Sequence, residues 1–392
     1  MYLCILNRDG EILVHRNMPA GPAPFLKASA PYREDVVVCV ACLFTWYWLA
    51  DLCAREGLPF VLGHALYMKA IHGGKATNDK IDAQKMVVLL RGGMLPQAYV
   101  YPAAMRATRD LLRRRLHLTR KRAELLAHIH NTNSQYNLPE IGKKIASKAN
   151  RAGVAARFPE PAVQKSVEMD LALIEFYAQL LRDVALTIVQ TAKQHDAQTF
   201  YRLQSVPGIG KILRCVLLYE MHEITRFPRV QDFVSSCRLV KCAKESAGKR
   251  YGTSGAKIGN SYLKWAVSEA AVLFLRHNPV GQQSLARLEK KHGQGKALTV
   301  LAHTLARAVY DMLRRDTACD MHKFLNGERS GVSEPTASLD LSGICLRMML
   351  WNPRSRGLNE HGVFSCAKCC LPAHKQGWGN PWEAEVGKKC PR

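Results

Sequence analysis

Val36-Val37-Val38-Cys39-Val40 is five apolar residues in a row, β-branched at four of them. A short continuous run of this kind reads as a strand buried on both faces of a sheet. To its C-terminal side, Phe44 to Glu56 reads as a helix stopped by Gly57 and Pro59, and Phe60-Val61-Leu62 as a second short buried strand. To its N-terminal side, Met1 to Leu6 and Glu11 to Arg16 read as two strands joined by a tight turn at Asp9-Gly10. Strand, helix and strand with short apolar strands predict an α/β layer architecture for residues 1–101.

That layer leads into Gly73-Gly74-Lys75-Ala76-Thr77-Asn78-Asp79-Lys80-Ile81-Asp82, a glycine pair and polar run opening a helix expected over Asp79 to Arg91. Asn78 suits the cap, and Asp79 and Asp82 share one face of the first turn. Acids there suit the helix dipole, which is the plainer reading. Two carboxylates that close also repel unless a cation lies between them, so a divalent metal is the other.

The 392 residues hold 56 Lys and Arg against 32 Asp and Glu, a net charge of +24. Such an excess points to a polyanion, most simply nucleic acid. The longest apolar run, Val36 to Ala50, is too short to span a bilayer, and no membrane partner is expected. Thirteen cysteines, mostly scattered singly through apolar runs, read as buried thiols of a cytoplasmic protein.

After Pro102 the pattern becomes helical. Residues 102–199 predict two long helices, Ala103 to about Asn131 and Ala162 to His195, forming an antiparallel pair or a dimerising coiled coil. The first carries Arg106, Arg109, Arg113, Arg114, Arg115, Arg120, Lys121 and Arg122 against only Asp110 and Glu124, a candidate phosphate-binding face. On the second, Met169, Leu173, Phe176, Leu180, Val184 and Ile188 form the expected apolar seam.

Residues 200–326 read as a further helical domain. Val206-Pro207-Gly208-Ile209-Gly210-Lys211 is similar to the hairpin of a helix-hairpin-helix module, where Gly208 and Gly210 bring backbone N–H groups to a phosphate beside Lys211. The Lys241 to Lys264 stretch, with Ser246, Lys249, Arg250, Ser254 and Lys257, reads as a backbone-exposing loop suited to phosphate contacts. Residues 327–392 show no sustained period and predict an irregular tail. There Cys366, Cys369, Cys370, His374 and Cys390 offer one zinc knuckle rather than the two a strong signal needs.

Taken in order, Asn78 to Ala83, the basic helices, Val206 to Gly210 and the serine loop ending in Lys257-Ile258-Gly259-Asn260 resemble a DEDD-type insertion-sequence transposase. These are the bridge-RNA-guided recombinases of the "IS one-ten" group. The resemblance implies a RuvC-like, ribonuclease-H-type domain, the helical insertion, and a C-terminal domain with a serine nucleophile. It makes Asp79 and Asp82 the last two acids of a Mg²⁺-binding set, Ser246 the nucleophile and Ser254 a weaker alternative. It also implies DNA and a guide RNA as partners, a homo-oligomer and a nucleoid-associated location.

Two departures accompany the match. The strand carrying the first acid is expected ahead of Met1, so the sheet is expected to lack its first strand. Ala41 stands where the second acid, a Glu, belongs. Alanine cannot bind a metal, so a degenerate, truncated copy with impaired catalysis is expected. The alternatives are a non-catalytic DNA- or RNA-binding remnant and a RuvC-like junction nuclease.

Overall fold

A computed structural model describes residues 1–43, 45–71, 78–142, 144–240, 242–254, 258–276, 278–319 and 363–368. In chain order these form β1 (Tyr2–Leu6), β2 (Ile12–Asn17), α1 (Pro22–Ser29), β3 (Val36–Ala41), α2 (Tyr47–Glu56), β4 (Phe60–Gly63), α3 (Ala65–Ile71) and α4 (Asp79–Arg91). Then come α5 (Ala103–Gln135), α6 (Pro161–His195), α7 (Ala197–Arg202), α8 (Lys211–Met221), α9 (Val230–Ser236), β5 (Cys242–Ser246) and β6 (Lys249–Ser254). The last elements are α10 (Ser261–Leu275), α11 (Pro279–His292), α12 (Gln294–Arg314) and β7 (Val363–Lys368). The chain is mixed α/β and mostly helical, and it divides into two compact units. One is Met1–Val100 with the C-terminal segment that carries β7, and the other begins at Tyr101 and runs through α12. Among the described residues, no helix is long and apolar enough to cross a membrane.

The first unit is a five-stranded sheet in the order β2-β1-β7-β3-β4. β1 is antiparallel to both β2 and β7, while β3 is parallel to both β7 and β4. Alternation along the strands sorts the core into two layers. Leu3, Ile5, Val36, Val38 and Val40 pack with Phe25 of α1 and with Leu49, Leu52 and Cys53 of α2. Cys4, Leu6, Cys39 and Ala41 pack with Ala83, Met86, Val87 and Leu89 of α4. The sheet is therefore sandwiched between helices, which is why β3 can be apolar at every position.

The tail corrects a sequence expectation. Residues 327–392 read as irregular, yet β7 lies between β1 and β3, pairing from Tyr2↔Lys368 to Leu6↔Phe364 and from Val36↔Val363 to Cys39↔Cys366. Six residues among Trp, Pro, Gly and Cys give too short a pattern to stand out, and the pairing edges that select them lie far away in sequence. The other zinc candidates of the tail lie outside the described residues.

The second unit is helical around α8, whose residues from Cys215 to Met221 are all buried. A helix buried all round needs neighbours on every side. These come from Leu112 and Leu116 of α5, Ile188 and Ala192 of α6, Phe200 of α7, and Ala266 and Ala270 of α10, while Phe233 of α9 and Leu305 and Val309 of α12 belong to the same core. The start of α5 thus meets the end of α6, while Ile129 near the end of α5 clusters with Val167 and Ile174 near the start of α6. The long helices are an antiparallel pair.

The α6 seam differs from the one read in the sequence. Val167, Ile174, Leu181 and Ile188, a strict seven-residue repeat, are buried. Met169, Leu173 and Phe176 are instead 59%, 42% and 54% exposed. Two apolar stripes share this helix, and periodicity cannot say which one meets α5. The region from Cys242 to Ser254 is also a hairpin rather than a loop.

Candidate functional site

α4 begins as expected. The Asn78 side chain accepts from the Ile81 amide at 2.8 Å, so Asp79 and Asp82 occupy the first turn. Both carboxylates are half-buried. Ala41, at the end of β3, shares the apolar layer beneath α4 with Ala83 and Met86. The position where the resemblance requires a Glu is thus on the sheet face that α4 covers, and it is filled by a buried methyl group. Among the described residues, no three His, Cys, Asp or Glu side chains come together as a metal site. Asp79 and Asp82 are two of the four carboxylates that the resemblance implies, so among the described residues that set is incomplete. The glycine pair and residues 72–77 ahead of Asn78 lie outside the described residues.

In the helical unit the Pro-Gly-Ile-Gly turn connects Ser205 to α8. Val206 and Ile209 are buried and anchor it. Gly208 has φ +87°, and a Cβ there would lie 2.4 Å from the Ala270 carbonyl and 2.6 Å from the Phe274 nitrogen. Its missing side chain lets the turn pack on α10, so the expected close approach to a phosphate is not what this glycine is spent on. Gly210, at the N-terminus of α8, has nothing within 4 Å of a built Cβ and remains open, as does the exposed Lys211 beside it. Arg214 donates to Gln204 at 3.0 Å and to the Ile209 carbonyl at 3.3 Å, bracing the turn.

Ser246 ends β5 opposite Lys249, across a two-residue turn in which Ala247 and Gly248 both have positive φ, 49° and 74°. Both turn residues being left-handed is the signature of hairpin turns that match strand twist. Ser246, Lys249 and Arg250 are exposed. Ser246 and the Asp79–Asp82 pair belong to different compact units. Lys257 lies outside the described residues, and of Ser254 only the strand position is described.

The arginines of α5 divide into two sets. Arg106 and Arg109 are buried, and Arg113 is partly covered. Arg106 donates to the Tyr101 carbonyl at 2.7 Å. Arg109 and Arg113 both grip Glu220 of α8: Arg109 Nη2 lies 2.9 Å from Oε2, and Arg113 donates to Oε1 at 2.6 Å and to Oε2 at 2.9 Å. Asn260, the cap of α10, adds a bond to Oε2 at 2.7 Å while accepting from the amides of Tyr262 and Leu263. Burial raises the Glu220 carboxyl, but the bond from Arg113 and the charges of Arg109 and Arg113 outweigh it and hold the group below its ordinary value. Arg106, Arg109 and Arg113, expected to face phosphate, thus belong to an internal network that joins α5, α8 and α10. Arg114, Arg120 and Lys121 do face solvent, and Lys121 pairs with Glu124 at 2.8 Å. Glu220 was missed in the sequence because a lone acid in an apolar run announces no partner; the Arg-x-x-x-Arg spacing on α5 was its one signal.

Asn260 belongs to the Gly259-Asn260 pair that closes the serine hairpin, and the Pro-Gly-Ile-Gly turn packs on the same helix it caps. Residues 200–286 match the family model for the transposase IS116/IS110/IS902 family. No curated protein matches the chain. The match spans the Pro-Gly-Ile-Gly turn, Glu220, the hairpin with Ser246 and the Asn260 cap. It supports a transposase of this type.

Proposed function

We propose that the chain is a DNA transposase or site-specific recombinase by descent, RuvC-like in its sheet unit, whose acidic metal site is impaired in this copy. The transposase match over residues 200–286 carries the reading. A sheet in the order β2-β1-β7-β3-β4, with mixed parallel and antiparallel neighbours and helices on both faces, supports the RuvC-like assignment. Ala41 in place of a carboxylate supports the impairment.

In this reading Ser246 is the nucleophile. Its hydroxyl oxygen attacks a DNA phosphorus, forming a serine–phosphate bond as one phosphodiester bond breaks and a DNA hydroxyl leaves with the proton. A solvated serine is a weak nucleophile, and among the described residues no general base sits on the Ser246 hydroxyl, so activation has to come from outside the hairpin. Lys249 and Arg250, exposed on the facing strand, would draw the phosphate to it. DNA and a guide RNA are the partners, the RNA by the sequence resemblance, and the protein works in the cytoplasm at the nucleoid. The exposed Met169, Leu173 and Phe176 stripe on α6 supports a homo-oligomer paired through a coiled coil.

A DNA cleavage and strand-exchange assay with cognate RNA and Mg²⁺ tests the proposal. Weak or absent turnover is expected, with any residual activity abolished in Ser246→Ala. Robust turnover would overturn the impairment, and turnover untouched by Ser246→Ala would overturn the nucleophile. The second reading, a nucleic-acid-binding remnant, is favoured by the charge of +24 alone and predicts binding with no cleavage at any Mg²⁺ concentration.

A further inference from the structure

α5, α6 and the short 3₁₀ turn at Lys148–Asn150 enclose a cleft of about 470 Å³. Arg115 and Arg122 line it from α5, Lys148 and Arg151 from the connection, and Arg182 from α6, with Glu175 the one acid among them. Glu175 is already engaged. Arg151 Nη1 lies 2.5 Å from its Oε2, Lys148 lies 3.7 Å from its Oε1, and Arg151 is further fixed by the carbonyls of Ile145 and Ala146 at 3.0 Å each. Of the remaining cations, Arg182 reaches Glu175 through its charge alone. Arg115 Nε is buried without a hydrogen-bond partner. Among the described residues, neither Arg122 nor Arg182 makes a hydrogen bond or ion pair. Burial and then the neighbouring Arg122 push the Arg115 guanidinium below its ordinary value, the response of like charges held together away from water.

Five cations around one satisfied carboxylate repel one another, and a structure that holds them so is relieved by an anion. Guanidinium forks from two sides match the oxygens of a phosphate. The volume falls within the range of about 300–1,000 Å³ typical of small-molecule sites, which admits a nucleotide unit. We propose that this cleft seats a phosphodiester of bound nucleic acid, holding the backbone where α5 and α6 meet. The proposal rests on the reading of the chain as a nucleic-acid-acting protein, and it moves the main phosphate contact of α5 from its outer face to the cleft.

The test compares Arg122→Gln/Arg182→Gln with Lys165→Gln/Lys193→Gln, which removes two exposed charges from α6 outside the cleft. Arg115 is left intact because its buried nitrogen ties it to the packing. Binding is measured against salt with two probes, a random-sequence DNA duplex and a stem-loop RNA, on proteins whose circular-dichroism melts match the parent. The slope of log affinity against log salt should shrink by about two in the cleft variant for at least one probe, and stay near the parental value in the control. The probe that loses slope identifies the nucleic acid. If the double variant melts early, Arg182→Gln alone, on the exposed rim, should shrink the slope by about one. Equal slopes in cleft variant, control and parent, with the parent binding steeply, would overturn the cleft and leave the proposed function standing. A parent without salt-dependent binding to either probe would overturn both.

Discussion

The two units solve the same problem, a core closed by distant residues, by different means. In the sheet unit, β1 and β3 do not pair with each other; β7, more than three hundred residues from β1, lies between them and bonds to both. In the helical unit the core is built from packed helices, and its most buried ion network is the grip of Arg109 and Arg113 on Glu220. One unit depends on a remote segment for its backbone hydrogen bonds; the other depends on a buried carboxylate for three helix positions. The lesson is that loss of the tail and loss of Glu220 strike different halves of the molecule.

The largest expected effect follows from the tail. Ending the chain at residue 351 exposes the facing edges of β1 and β3. Amide exchange of both strands should rise until their opening free energy approaches about zero, while α8 and α10 stay protected. Unchanged protection in β3 would break the comparison, since β7 would then contribute nothing to the sheet.

Glu220→Ala comes next. It leaves Arg109 buried without its carboxylate, which typically costs about 3–5 kcal/mol. Chemical denaturation should show this loss in the helical unit alone, leaving β3 exchange as it was. The same carboxylate sets an acid limit. Its folded value lies below its unfolded one, so its contribution is full above about pH 4.3 and fades as the pH falls through the folded value. Glu220→Gln should therefore flatten the dependence of stability on pH below about 4; an unchanged acid slope would mean that the ion network adds nothing.

The two glycines of the Pro-Gly-Ile-Gly turn sharpen the picture at smaller scale. Gly208→Ala must push against the Ala270 carbonyl and adopt a left-handed φ, and should cost about 1–3 kcal/mol in melting experiments. Gly210→Ala meets nothing and should cost under about 1 kcal/mol. Comparable losses would show that the turn is not held against α10. The smallest effect is expected in the sheet unit. With Ala41 beside α4 and two carboxylates on it, millimolar Mg²⁺ should leave its melting temperature unmoved, because a ligand that binds weakly stabilises little. A rise of several degrees on calorimetry would reveal a metal site that the Ala41 argument denies.

Much of this was legible from local chemistry. Val36 to Val40 marked a doubly covered strand, Asp9-Gly10 a hairpin, and Asn78 with two early acids a helix start at Asp79, because caps, turns and periodicity act within a few residues. The long helices were legible for the same reason: no Gly or Pro interrupts them between their ends. Two things were not. Which of two apolar stripes on α6 faces α5 depends on the partner surface, not on the stripe. Whether an arginine on α5 meets water, Glu220 or the cleft depends on what the fold brings opposite it, since all carry the same charge and spacing.

The sequence by itself thus determined the α/β start of the chain and its two long helices, the basic character of the chain, and the presence of Asp79 and Asp82 with no carboxylate at position 41. The tertiary structure alone decided that a six-residue segment of the tail fills the middle of the sheet, that Glu220 neutralises the inner arginines, and that Arg115, Arg122 and Arg182 converge with no acid to spare. The physical reason is range: dihedral preferences and capping bonds are settled between neighbours in the chain, whereas strand pairing and charge compensation belong to whichever groups folding places within a few ångströms of each other.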